Sequence, residues 1–115
     1  MERFTAASKV SLDNSKAVAY IRHMIRSFRG KGIKRFAETG NPSGLSVPNP
    51  ERVRRILIRL DAAVMPAEMD APGLHFHALT GRDKGRYSVR VTGNYRITFG
   101  WDGDDAVHVD LEDYH

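Results

Sequence analysis

Two kinds of side chain in this sequence can do chemistry together: imidazoles and guanidiniums. His75 and His77 alternate in one short stretch, Arg90 and Arg96 flank a turn, His108 and Asp110 alternate further on, and the last three residues are Asp113, Tyr114 and His115. Imidazole titrates near neutral pH and both gives and takes protons there, which makes His115 the strongest general acid or base. The fork of Arg96 stays charged and matches two phosphate oxygens. Quieter readings stand beside these: Arg96 as the cross-strand partner of Asp110, and His77 as a structural hydrogen-bond donor. His75-x-His77 has the spacing of two metal ligands on one strand face, with His108, Asp110 or His115 to complete a set. The pattern defines no third ligand, so no metal site is expected. Cysteine is absent, which excludes a thiolate nucleophile, a thiolate zinc site and a disulfide framework.

The elements that must position these groups are legible from periodicity. Leu74, Phe76 and Ala78 alternate with the two histidines; Tyr87, Val89 and Val91 alternate with Ser88 and Arg90. Tyr95, Ile97, Phe99 and Trp101 alternate with Arg96 and Thr98, and Val107, Val109 and Leu111 with His108 and Asp110. This is an antiparallel meander with one apolar and one polar face. A three-residue loop Thr92-Gly93-Asn94 sets Val91 opposite Tyr95 and Val89 opposite Ile97, keeping like with like. The same logic gives Asp102-Gly103-Asp104 as the next loop, with Phe99 opposite Val107. That register gathers His75, His77, Arg90, Arg96, His108 and Asp110 on one face and sets Arg96 opposite Asp110.

Two helices cover the other face. The first is expected over about Lys31–Thr39, with Ile33, Phe36 and Ala37 inward and Gly40 as its stop. After a loop over Asn41–Pro48, Asn49-Pro50-Glu51 is a strong helix start: a capping side chain, proline at the first helical position and an acid in the first turn. Val53, Ile56, Leu57, Leu60 and Val64 make its core stripe, Arg52, Arg55 and Arg59 fall on the opposite side, and Pro66 closes it. Ile25–Phe28 alternates as a short strand. Residues 1–23 read as an N-terminal extension, a leader or a helix capped by Ser11 or Asp13, before a domain over 24–115. The fold class is α+β: a small twisted antiparallel sheet packed on two N-terminal helices.

The chain of 115 residues has a formal charge of +4, unevenly spread. Residues 22–59 hold ten Lys or Arg against Glu38 and Glu51, whereas after Trp101 come six acids and no Lys or Arg. A basic half attracts polyanions through counterion release. No apolar run has the length of a membrane span and no secretory pattern opens the chain, so a cytoplasmic protein is expected.

From Met24 onward the sequence resembles the HigB branch of the RelE/ParE toxin superfamily. The matching features are Ile25-Arg26-Ser27-Phe28 with Lys31-Gly32, then His77-Ala78-Leu79 leading into Gly81, then Gly85-Arg86-Tyr87-Ser88-Val89. Gly93-Asn94-Tyr95-Arg96-Ile97-Thr98-Phe99 and the closing Glu112-Asp113-Tyr114-His115 complete the set. The resemblance implies a toxin that cleaves mRNA on the ribosome without a cofactor and is silenced by a helix-turn-helix antitoxin of the HigA type. It implies that His115, Arg96, His77, Asp113 and Tyr114 form the catalytic group, with Asp113 orienting a partner and Tyr114 stacking on a base or positioning a proton. Metal-free cleavage needs the 2′-hydroxyl deprotonated, the phosphate charge stabilised, the leaving oxygen protonated and the nucleotides held in line. Arg26, Lys31, Lys34, Arg52, Arg55, Arg59, Arg82, Lys84 and Arg90 are the candidate contacts to RNA and the ribosome. Thr80 departs from the pattern, because the family commonly has lysine there; Arg82, Lys84 or Arg90 is left to supply that charge. The departure keeps open a non-catalytic inhibitor of the ParE kind, which binds DNA gyrase, and a structural RNA-binding domain.

Overall fold

The computed structural model describes residues 25–113; the expected extension over residues 1–23, Tyr114 and His115 lie outside the described residues. Helix α1 (Lys31–Thr39) buries Ile33 and Phe36 and stops at Gly40, whose φ of 78° lets its N–H turn back to the Phe36 carbonyl at 2.8 Å. A short 3-10 turn over Pro42–Gly44 then packs on the helix start. The approach is closer than a side chain permits, since a Cβ at Gly32 would stand 2.3 Å from the Gly44 carbonyl oxygen.

Helix α2 (Pro50–Ala62) begins where its capping signals put it, with Asn49 Oδ1 accepting the Arg52 N–H at 3.3 Å. Val53, Ile56, Leu57 and Leu60 are buried, whereas Val64 lies beyond the helix and is half-buried. Pro66 does not close the helix, which ends at Ala62; it opens a 3-10 turn over Pro66–Met69. Asp61 is also buried, and its Oδ1 accepts the Ile25 N–H at 3.0 Å, tying the start of the described chain to α2.

Four strands make one antiparallel sheet in chain order: β1 (His77–Ala78), β2 (Arg86–Arg90), β3 (Tyr95–Asp102) and β4 (Asp105–Asp113). With α1 and α2 this is the expected α+β fold. The β2–β3 register is the expected one: Val89 faces Ile97, and the Val91 N–H reaches the Tyr95 carbonyl at 2.9 Å. Val89, Val91, Ile97 and Phe99 are buried on the helix side. The first strand is shorter than its alternation suggests, because His75 takes a left-handed φ of 49° and breaks the ladder ahead of His77.

The β3–β4 register differs from the expected one. The connection has two residues, not three: Asp102 pairs with Asp105 around Gly103-Asp104, with Gly103 at φ 64° in the first central position of a primed turn. Gly100 therefore faces Val107, and an unbroken ladder would carry Val109 onto the polar face and Asp110 into the core. A bulge prevents this. His108 (φ 52°) and Val109 together stand opposite Phe99, after which Asp110 pairs with Thr98, Leu111 with Ile97 and Glu112 with Arg96. Val109 stays fully buried. The expected partnership of Arg96 with Asp110 is thus replaced by Arg96 with Glu112.

The segment expected as a first strand runs beside β4, and it runs parallel. The Arg26 N–H donates to the Ala106 carbonyl at 2.8 Å, the Val109 N–H to Ser27 at 3.1 Å and the Arg29 N–H to Val109 at 2.8 Å. Only Phe28, bridged to Val109, pairs as a strand residue. Among the described residues no helix is long and apolar enough to cross a membrane.

Two stability predictions follow from these contacts. Gly32→Ala, a helix-favouring change on propensity alone, should cost about 1–3 kcal/mol through overpacking, read as a lowered thermal midpoint; a raised midpoint would contradict the close approach. Arg52 donates to the carbonyls of Val91 (2.8 Å), Gly73 (2.9 Å) and Arg90 (3.2 Å). Urea titration of Arg52→Ala should show a loss of about 1–3 kcal/mol, while the exposed Arg55→Ala stays within about 0.5 kcal/mol.

Candidate active site on the open sheet face

Direct cross-strand partners share a face, so the register arranges the polar side chains in rows. One row runs His77, Ser88, Thr98, Asp110; the next runs Arg90, Arg96, Glu112; Arg86 and Gly100 start a third. Ser88 and Thr98 are 4% and 0% exposed, so the floor of this face is polar and yet closed to water. Where the first two rows meet, His75, His77, Ser88, Arg90, Tyr95 and Arg96 line one small cleft of about 40 Å³.

His77 is held there in a defined state. Its Nδ1 lies 2.7 Å from the His75 carbonyl oxygen, an atom that only accepts, so Nδ1 carries the proton. The lone pair of the neutral ring is then on Nε2, the nitrogen left for a substrate. The left-handed backbone at His75 is what turns this carbonyl toward the His77 ring, a local strain of the kind found where geometry is constrained by a site.

Arg90 and Arg96 are direct partners on adjacent strands, and two like charges at that spacing repel. On the other side, Glu112 is the direct cross-strand partner of Arg96 and sets an opposite charge there. Arg86 lies nearby over Gly100, and its Nη2 donates to Thr98 Oγ1 at 2.9 Å and to the His108 carbonyl at 3.1 Å. Burial pulls the Arg86 guanidinium below its usual pKa, helped by the charge of Arg29 and opposed by Glu112, Asp83 and Asp110. Asp110 is shifted upward, again chiefly by burial, with the Leu111 N–H pulling the other way and the Glu112 charge adding to the rise.

The expected site residues divide. His75, His77, Arg90 and Arg96 come together as the alternation implies. Asp110 shares the face but lies in the Thr98 row and lines a separate cleft of about 150 Å³ with Gly30, Gly32 and Ser46. His108 leaves the group, because the bulge carries it to Ser27, whose Oγ accepts the His108 N–H at 2.8 Å. Asp113 stands opposite Tyr95, in register with the core-facing positions rather than beside Arg96. Tyr114 and His115 lie outside the described residues. Ser88, Arg86, Thr98 and Glu112 were not singled out from the sequence, although the alternation in β2 and β3 already put the first three on the polar face. Among the described residues no group of three His, Cys, Asp or Glu side chains has the geometry to hold a metal ion.

The nine candidate RNA-binding cations also separate by environment. Arg52 is committed to three backbone carbonyls, so it braces α2 against the β2–β3 turn and is not presented outward for RNA. Arg26 pairs with Asp102 and, at 2.8 Å, with Asp105 at the hairpin tip. Arg59 donates from Nε to the Glu68 carbonyl at 3.0 Å, and Arg55 lies 4.0 Å from Glu51. Lys31 and Lys34 are exposed on α1; Arg82 and Lys84 are exposed between β1 and β2, beside Thr80. Arg90 alone of the nine lines the cleft.

The chain is similar to known proteins along most of its length. A family model described as the RelE-like toxin of the type II toxin–antitoxin system HigB matches residues 26–115. The endoribonuclease HigB of Proteus vulgaris is 36% identical over 92 residues, which make up 80% of this chain and 100% of that protein. With the match running through both helices, the whole sheet and the cleft, the chain belongs to the HigB-like family of RelE-like toxins from type II toxin–antitoxin systems.

Proposed function

We propose that the protein is an endoribonuclease toxin that cuts mRNA on the ribosome, and that the cleft between β1, β2 and β3 receives the scissile phosphate. The observation that carries this reading is the convergence of His77, Arg90 and Arg96 at the end of the sheet from which the chain continues to His115. His115 follows Asp113 by two positions, and covalent geometry limits that span to about 7 Å. The relative named an endoribonuclease supports the same reaction class.

The chemistry assigns roles in order. A base takes the proton of the 2′-hydroxyl, the 2′-oxygen attacks the adjacent phosphorus, and the bond to the 5′-oxygen breaks as that oxygen receives a proton. The products are a 2′,3′-cyclic phosphate and a 5′-hydroxyl. Arg96, with Arg90 beside it, stabilises the charge that grows on the phosphate oxygens. His77, its Nδ1–H already given to the His75 carbonyl, offers Nε2 to the phosphate or to the proton in transit. The imidazole of His115 supplies the second proton-transfer group, with Tyr114 placing the nucleotide.

The shallow cleft supports ribosome dependence. The cleft is small and lies on an open sheet face, which leaves in-line geometry to be imposed on the RNA from outside. Lys31, Lys34, Arg82 and Lys84 are exposed and suited to ribosomal RNA, whereas Arg26 and Arg52 are held in structural contacts. Arg82 and Lys84 stand where a lysine is missing at Thr80. The catalytic domain spans 24–115 and works in the cytoplasm. Membership of a type II system gives the toxin an antitoxin as its partner; we assign that antitoxin to the helix-turn-helix kind.

Defined mRNA translated with antitoxin-free protein should be cut at codon-positioned sites. His77→Ala, Arg96→Ala and His115→Ala should each lower the rate by about 100-fold or more, with folding intact by circular dichroism. Intact mRNA together with failing DNA supercoiling would instead assign the protein to gyrase inhibition.

A further inference from the structure

Thr98 is fully buried in the middle of the open face, and its hydroxyl lies between two charged groups. Arg86 Nη2 is 2.9 Å from Oγ1 and Glu112 Oε2 is 2.6 Å from it. A guanidinium only donates and a carboxylate only accepts, so the direction of this chain is fixed: Arg86 gives to Thr98, and Thr98 gives its single proton to Glu112. Arg86 is anchored in turn by the His108 carbonyl at 3.1 Å. The bulge that displaces His108 thus supplies the acceptor that holds the first member of the chain.

Glu112 is the direct cross-strand partner of Arg96, and Arg90 is the partner on the other side. Arg96 therefore stands between a like charge and an opposite one. Repulsion from Arg90 and attraction to Glu112 act on the guanidinium in the same direction, toward β4. A long arginine has many rotamers to lose when it grips a phosphate, and a fixed carboxylate beside it removes part of that loss in advance.

We propose that Thr98 and Glu112 are positioning residues for Arg96: the directed chain from Arg86 through Thr98 fixes the Glu112 carboxylate, which sets where Arg96 meets the scissile phosphate. This inference rests on the endoribonuclease reading above. Neither residue touches the RNA. Both act through Arg96.

Single-turnover cleavage of ribosome-bound mRNA by the full chain tests this. Thr98→Val keeps the shape and removes the hydroxyl; it should slow cleavage about tenfold or more with an unchanged half-saturating ribosome concentration. Thr98→Ser should stay within about twofold of the parent. Glu112→Gln still accepts from Thr98 and loses only the charge, so it should slow cleavage similarly and serves where Thr98→Val does not fold. In an Arg96→Ala background both changes should cost nothing further, which a merely structural role would not produce. Additive losses in that background, or parental rates for both single variants, overturn the positioning role while leaving the nuclease reading intact. Parent protein that leaves the mRNA whole overturns both.

Discussion

A strand covered on one face by helices has to keep its apolar side chains on that face for its whole length, and β4 meets this demand only by carrying an extra residue. The two-residue turn at Gly103-Asp104 starts the strand in a register that would bury Asp110 and expose Val109. Inserting His108 and Val109 opposite Phe99 restores the match. Val109 then enters the core, Asp110 joins the polar face, and the last residues of β4 slide along β3 until Glu112 meets Arg96 and Asp113 meets Tyr95. The same bulge turns the His108 carbonyl toward Arg86. Packing on one side of the sheet thus determines the electrostatics on the other.

The open face that results is not uniformly basic. Arg86, Arg90 and Arg96 share it with Asp110 and Glu112, and the hydroxyls of Ser88 and Thr98 form a dry polar floor between them. Such a surface places charge locally and holds it still. Several of the chain's other arginines are spent on architecture: Arg52 on backbone carbonyls, Arg26 on the acids of the β3–β4 hairpin, Arg54 on Glu51. The basic half seen in the composition is therefore not a single RNA-binding stripe.

Much of this was legible in the sequence where local signals and burial agree. The bounds of α1 follow from Gly40, the start of α2 from Asn49-Pro50-Glu51, and the β2–β3 register from the need to keep Val89 and Val91 beside Ile97 and Tyr95. The clustering of His75, His77, Arg90 and Arg96 came with that register. The β3–β4 register was missed because alternation was read as unbroken through Val107, Val109 and Leu111. Ala106 and Val109, three apart and both buried, were the trace of the bulge. His75 could not be seen to leave the strand, since a left-handed histidine leaves no mark in a hydropathy pattern. Nor does periodicity distinguish an arginine that points to water, such as Arg55, from one such as Arg52 that folds back onto carbonyls.

The central claim is that this face breaks RNA by turning the nucleotide's own 2′-hydroxyl on the neighbouring phosphate. Replacing a single nucleotide of the mRNA, on the 5′ side of a mapped cut, by its 2′-deoxy form tests that claim most directly. Cleavage at that bond should vanish while cuts at other positions continue. Cleavage that persists at the deoxy position would contradict the account.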